Sequence, residues 1–410
     1  MMTATPSSSL VLFDDRRARG WDPFLLTRPA GELLFGALLL RERSERFWDL
    51  PCTAHVSREA LVGFSEPGAP PVLAPTSLAF QGRRLYQCSR AAPAGSVPGL
   101  PEEPTTLRMG DEVVGWSVPA DHPGPEPDLF LDPGPLPDSR VVEIPGLLLE
   151  SPWDLMSRNG EQLRSDIPRL FPGLVADTLP RGYILGDGLV SLGKDVTVEP
   201  GCVFDVREGP VRLSDGVTIR AHTRLAGPAW IGPGTTVLGG VLSEVSLGPV
   251  CKVRGEVETS VVLGYANKAH DGFLGHAYLG RWVNLGAFTT NSDLKNNYGP
   301  VRVGGRDGPV ETGLLKVGCF LGDHVKTGIG TLLNTGTVVG AGSNLFGGRM
   351  PPTWVPHFSW GSGDQLTPFR LDKFLEVATR AMDRRNLALD AEMEGVLRRA
   401  WEETRSQREP

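Results

Sequence analysis

LSDGVTIRAHTRLAGPAWIGPGTTVLGGV, residues 213–241, decides how this 410-residue chain is read. An aliphatic residue returns every six positions, at Leu213, Ile219, Leu225, Ile231 and Val237. Four residues after each stands a small or β-branched one: Val217, Thr223, Ala229, Thr235 and Val241. A helix needs apolar recurrence near 3.6 and a flat strand near 2, so a period of six fits neither. It fits a parallel β-helix, where each hexad is one short strand plus a turn and three hexads close a triangular coil. The aliphatic side chain fills the prism, and its small partner leaves room at the corner.

The rhythm extends both ways. Upstream it includes Leu192, Val198 and Phe204; downstream it returns at Phe273, Leu279 and Leu285, then at Leu315, Leu321, Thr327, Leu333, Val339 and Leu345. A β-helix over 184–348 is therefore predicted. Arg349 to Trp360, with Pro351, Pro352 and Pro356, breaks the pattern and opens a connecting segment and C-terminal helix, 349–410. The helix, from about Leu371 to Arg405, is expected to cap the last coil or meet a neighbouring subunit.

Before the repeats, an α/β domain is predicted over 10–180, after a small, polar, disordered start at 1–9. Leu10-Val11-Leu12-Phe13 reads as a buried strand ending in Asp14-Asp15-Arg16. Ligands of open α/β sheets sit at such strand ends, although charges also close strands in plain solvent. Thr27-Arg28-Pro29 has the form of a helix start, and the helix is expected to reach about Phe47. Residues 91–140, rich in Pro, Gly and acidic groups, read as a long irregular loop. Val141 to Ile144 reads as a strand, and a helix starts at Ser151-Pro152-Trp153.

Composition excludes several functions. A net charge of −7 leaves no basic surplus for phosphates, which argues against nucleic acid as a partner. The five cysteines form no CxxC pair, so neither a disulfide framework nor a cysteine zinc site is indicated. No apolar run reaches ~18 residues and no signal-peptide pattern stands at the start, so the cytoplasm is the expected location, with no membrane partner.

The stretch Val261 to Tyr298 interrupts the hexads and concentrates polar groups: Lys268, His270, Asp271, Asn284, Asn291, Asp293, Lys295, Asn296, Asn297 and Tyr298. A neutral imidazole titrates near ~6.5, which suits His270 to general-base work. Asp271 or a backbone carbonyl could orient its ring. The plainer readings are a solvent-exposed histidine and turn-forming asparagines. No Ser-His-Asp or Cys-His arrangement suggests a covalent acyl-enzyme, so direct transfer is expected, with turn N–H groups holding the oxyanion. His270 and His276 are six apart and fall on successive faces, which counts against a shared metal.

GYANKAHDGFLG (264–275), NLGAFTTNSDLKNNYG (284–299), LGDHVKTGIGTLLNTGTVVG (321–340) and VPHFSWG (355–361) resemble the left-handed β-helix acyltransferases. Among them they are most similar to a variant of the bifunctional UDP-N-acetylglucosamine pyrophosphorylase / glucosamine-1-phosphate N-acetyltransferase family. LFDDRR (12–17) and LLTRPAGEL (25–33) look like that variant's sugar nucleotidyltransferase-like domain. The resemblance implies a left-handed coil, against the usual crossover hand. It also implies a homotrimer, acetyl-CoA as co-substrate, an amino-sugar phosphate as acceptor, and a place in nucleotide-sugar synthesis. By the same resemblance His270 is the catalytic base and Asn284 lies near the acetyl group and amine; the other polar residues of the stretch are taken as substrate-binding.

Some positions depart from the family. Phe273 stands where better-known members have a tyrosine on the sugar phosphate, and Glu258 lies near a position where they have a lysine. Lys252, Arg254, Lys268 and Lys295 could replace them. The glycine-rich phosphate loop is absent from the N-terminal domain. In its place Asp14 and Asp15 could hold Mg²⁺, and Arg16 and Arg28 could bind the phosphates of a nucleoside triphosphate. Equally, the domain could be an inactive relic. Two rival functions stay open: a nucleotidyltransferase whose β-helix serves assembly, and a non-catalytic trimeric scaffold that binds a nucleotide-sugar.

Overall fold

The computed structural model describes residues 8–76, 82–172 and 183–408. The start of the chain and the expected domain boundary near 180 lie outside the described residues. The N-terminal domain is built on a seven-stranded sheet with the spatial order Arg140–Glu143, Thr105–Met109, Glu112–Val118, Arg84–Cys88, Ser9–Phe13, Cys52–Val56, Val72–Leu73. Neighbours run parallel except around Glu112–Val118, which is antiparallel to both of its own. Ser9–Phe13 is central and buried along its length, as its unbroken apolar run requires of a parallel strand covered on both faces.

Two expectations fail here. The stretch 91–140 is not a plain loop: Thr105–Met109 and Glu112–Val118 form a hairpin that turns at Gly110, φ +58°. Nor does a helix run from Thr27 to Phe47. After one 3-10 turn at Ala30–Glu32, Leu34–Phe35 pairs antiparallel with Leu38–Leu39, and the helix spans only Leu40–Trp48. Gly36, at φ +68°, makes that turn. Its N–H goes to Asn159 Oδ1 and that of Ala30 to the Asp14 carboxylate, so these donors are used up outside any helix.

The repeats form a parallel β-helix with three faces. Across face A, Phe204, Leu225, Leu242, Val257 and Leu274 succeed one another in register. Face B stacks Leu213, Ile231, Leu247, Val262, Leu279, Leu321, Val339 and Val355. Face C stacks Ile219, Val237, Val253 and Lys268, then Leu285, Thr327 and Leu345. The aliphatic members pack into one continuous buried core. Two predicted inward positions are wrong. Leu274, not Phe273, points inward, and Leu315 is 57% exposed, because it belongs to an excursion, 292–318, that leaves the coil after Asn291. The prolines of 349–360 do not end the helix either: Trp354–Val355 and Ser359–Ser362 add to faces B and C.

The N-terminal domain lies along face B. Outward residues Tyr278, Phe320 and Val338 pack against Trp21, Phe24 and Leu33. The Tyr278 hydroxyl accepts from Leu34 N at 2.8 Å and donates to Leu34 O at 3.2 Å. Arg28, 1% exposed, locks the junction by donating to Asp323 and to both oxygens of Glu66.

The single C-terminal helix expected from Leu371 to Arg405 is two, Leu371–Asp383 and Ala391–Glu403. Asn386 between them takes φ +57°. Glycine holds that conformation without strain, so Asn386→Gly is expected to raise the free energy of unfolding by about 0.5–1 kcal/mol, read as a higher urea midpoint.

The corner between faces B and C repeats a left-handed residue on successive coils: Gly216, Gly234, Val250, Tyr265, Trp282, His324. Burial, with the nearby Lys326 charge adding, pushes the His324 imidazole down to about 3. An unfolded histidine takes up its proton near ~6.5. Between those values only the unfolded chain binds it, so stability falls as pH drops through that window. His324→Phe should remove this part of the acid destabilisation, narrowing the loss between pH 7 and 4.5 by about 2–3 kcal/mol in urea titrations.

Candidate active site

The structure distributes the sequence-predicted residues of 268–298 over three places. The first is the edge between faces C and A. Lys268 occupies an inward register on face C, and its Nζ donates to the carbonyls of Arg254, 2.7 Å, and His270, 3.1 Å. Burial pulls this ammonium down to about 8, against Asp271 and Glu256, which favour the charge. Lys268 thus fixes from beneath the turn that carries His270, which stands exposed with its imidazole making no hydrogen bond to the described residues. Asp271 pairs with Arg254 at 3.1 Å instead of orienting the ring. Asn284 lies beside Asn267 on the next coil, the two amides 3.3 Å apart.

The second place is the edge between faces A and B. Asn291 is buried, and its amide bridges Gly275, accepting from its N–H at 3.0 Å and donating to its carbonyl at 2.9 Å. Asp293 accepts from His276 Nδ1 at 2.7 Å, and that bond holds its carboxyl below the usual range. The backbone fixes both partners, since His276 N donates to Glu258 O and Val317 N to Asp293 O. An imidazole tied to a carboxylate through Nδ1, with no partner on Nε2 among the described residues, is an oriented base. The sequence contained a signal for this pair: His276 and Asp293 are 17 residues apart, as are Asn267 and Asn284, the length of one coil. The third place is the start of the excursion, where Lys295 Nζ donates to Pro300 O, the Asn297 side chain caps Gly299 N, and Asn296 and Tyr298 are exposed.

The edge that carries His270 is also where apolar side chains face solvent. Phe288 is 64% exposed, Ile329 76% and Phe346 38%, one above another on later coils. A ridge of this kind marks an interaction surface.

In the N-terminal domain the predicted nucleotide-binding residues do not converge. Asp14 is buried, which pushes its carboxyl up, and it accepts from Ser57 Oγ and Ala30 N. Asp15 caps the short helix Arg16–Arg19 and takes three bonds from the Arg90 guanidinium. Arg28 belongs to the junction. Arg16 stays at the surface, paired with Asp132. With their oxygens already turned to N–H, O–H and guanidinium donors, Asp14 and Asp15 do not fit a resident Mg²⁺. Among the described residues no group of three or more His, Cys, Asp or Glu could hold a metal ion. Nor is any helix among them long and apolar enough to cross a membrane.

A family model described as sugar nucleotidyl transferase matches residues 10–173. The Bifunctional protein GlmU of Nitrosospira multiformis is 25% identical over 223 residues, 47% of this chain and 45% of that protein. A bifunctional sugar-1-phosphate nucleotidylyltransferase/acetyltransferase of Sulfurisphaera tokodaii is 30% identical over 95 residues, 23% of this chain and 24% of that one. The chain spans less than half the length of these curated relatives. A solved UDP-N-acetylglucosamine acyltransferase from Arabidopsis aligns with 52% of this chain and 78% of its own, at 11% identity and a TM-score of 0.25. With a sugar nucleotidyl transferase match over 10–173 and a parallel β-helix after it, the chain is similar to the GlmU-like bifunctional proteins.

Proposed function

We propose that the β-helix is an acetyl-CoA-dependent N-acetyltransferase acting on an amino-sugar phosphate of the glucosamine 1-phosphate type, in nucleotide-sugar synthesis. The observation that carries this reading is the uncommitted, exposed imidazole of His270 on a turn pinned by Lys268. In the reaction, His270 removes a proton from the sugar amine as its nitrogen attacks the thioester carbonyl. The tetrahedral intermediate collapses, the C–S bond breaks, and the coenzyme A thiolate takes up a proton. Turn N–H groups of the coil stabilise the oxyanion, and Asn284 meets the acetyl group and amine. The apolar ridge of Phe288, Ile329 and Phe346 supports assembly into a homotrimer along this edge.

The sugar nucleotidyl transferase match supports a nucleotidyl-transfer role for the N-terminal domain. Of the residues expected there, Arg16 and the adjacent Arg17 are the ones free to meet a phosphate, because their ion pairs with Asp132 and Glu150 are exposed and exchange at little cost. A second reading of the acetyltransferase comes from the His276–Asp293 pair: this oriented imidazole, and not His270, is the base. Free-thiol release from acetyl-CoA with glucosamine 1-phosphate as acceptor tests both. Turnover lost in His270→Ala and kept in His276→Gln supports the first reading, and the reverse pattern supports the second. No turnover by the folded protein with a panel of amino-sugar phosphates would leave the nucleotidyltransferase-only and scaffold readings.

A further inference from the structure

Where the N-terminal domain, the β-helix and the C-terminal helices meet, they enclose a cavity of about 260 Å³. It lies on the edge between faces B and C, across face C from His270. Glu66 lines it from the first domain, Arg281, Trp282 and His324 from the coil corners, Met382 from the first C-terminal helix and Leu387 from the link to the second. Exposed Ala388 stands at its wall and marks the side open to solvent. Cavities of this kind, mostly apolar with a few placed polar groups at a domain junction, are where small molecules bind.

The hydrogen bonds of the wall leave two atoms over. Glu66 accepts from Arg28 and forms an ion pair with Arg281 Nη1 at 3.0 Å. Asp323 accepts from Arg28, Thr27 and Arg281 N, and Asp390 from Ser65 and Met393 N. Arg281 Nε and His324 Nδ1 are buried with no partner among the described residues, in residues 8% and 5% exposed. They are close, because His324 N donates to Arg281 O at 2.8 Å and so the two residues sit on adjoining coils. Unpaired buried polar atoms are rare in folded proteins, and two in one cavity point to a missing partner.

The same corner is built from left-handed residues. Tyr265, Trp282 and His324 hold φ of +53°, +64° and +61°, at a corner position that earlier coils give to Gly216, Gly234 and Val250. Here those corner residues are large and project into the cavity wall. Tyr265 and Trp282 stack at 4.5 Å, which stiffens the wall.

Charge selects the ligand. Arg28 and Arg281 face three carboxylates, Glu66, Asp323 and Asp390, so with a neutral imidazole the wall carries one net negative charge. That disfavours an anion. The unpaired N–H of Arg281 is a donor only, which disfavours a cation that brings further donors. A neutral imidazole beside it has one accepting and one donating nitrogen. We propose that this cavity binds a small neutral molecule bearing an amide, with the carbonyl oxygen accepting from Arg281 Nε, the amide N–H donating to His324, and an apolar body against Met382 and Leu387. The inference is independent of the acetyltransferase reading.

Benzamide, benzoate and benzamidine share one shape and differ in charge, so they test it directly on the full chain by chemical-shift titration. Benzamide should saturate with a dissociation constant of about 1–10 mM, ordinary for a ligand of roughly nine heavy atoms. It should bind at least tenfold tighter than either charged analogue. Leu387→Trp, which fills the cavity, should weaken benzamide at least tenfold; should that variant not fold, Ala388→Leu narrows the open side instead. A crystal grown with benzamide should show its oxygen in hydrogen-bonding distance of Arg281 Nε. Equal binding of all three probes, no saturation by benzamide, insensitivity to the filling variants, or only water beside Arg281 would overturn the proposal.

Discussion

Arg28→Ala is expected to lower the free energy of unfolding by about 3–5 kcal/mol, the cost of removing one partner from a buried ion network. The side chain uses Nη1 and Nη2 on Glu66 at 3.0 and 2.9 Å, and Nε on Asp323 at 2.9 Å. Desolvation alone would raise the Asp323 carboxyl; the Arg28 charge is the main reason it is held below its ordinary value instead. Alanine leaves Asp323 with Thr27 Oγ1 and Arg281 N, donors without charge, and leaves Glu66 sharing only Arg281. Arg28→Lys should recover only part of the loss, because an ammonium cannot reproduce the planar fork that spans two carboxylates. Removing charge from both sides, as in Arg28→Met with Asp323→Asn, should cost less than the two single losses added together. Urea titration with an unchanged slope checks each step. An Arg28→Ala midpoint within about 1 kcal/mol of the parent would mean that the junction is not held this way.

The second large effect is on catalysis. His270→Ala should reduce acetyl-CoA-dependent thiol release by about 10²–10⁴-fold, the usual worth of a positioned base. Stability should hardly change, since the imidazole is exposed and bonded to nothing among the described residues. Lys268→Met provides the contrast. It leaves the imidazole in place but removes the two bonds beneath its turn, so it should lower both stability and turnover. Thiol release in His270→Ala within threefold of the parent would sink the assignment of His270 as base.

Much of the fold was legible because the β-helix repeats its own chemistry. Leu213, Ile219, Leu225, Ile231 and Val237 are all fully buried, as their spacing demanded. The period misled where it was extrapolated across a change in coil length: counting back from Leu321 lands on Leu315, in the excursion, and counting to Phe273 misses Leu274 by one residue. In the N-terminal domain, local signals lost to tertiary contacts. Thr27 has the form of a helix cap, yet its hydroxyl is spent on Asp323, 296 residues away. No window of sequence contains that partner.

The site was legible as a stretch but not as an arrangement. His270 is exposed, whereas Asn291, expected to meet substrate, is a buried brace for Gly275. Asp293 looked like a substrate contact and belongs to His276. Polar density marks where a repeat departs from its rule; which of those groups stay free is decided by the next coil.

The lateral seat of the N-terminal domain on face B sets an order of events during synthesis. Arg28 leaves the ribosome 295 residues before Asp323. At about 5–20 residues per second, that is a wait of about 15–60 s during which Trp21, Phe24 and Leu33, packed on their own domain, lack their partners Phe320 and Val338 on face B. The domain made first is therefore among the last to be completed, and a nascent chain stalled before Phe320 should hold an exposed apolar strip that the finished protein conceals.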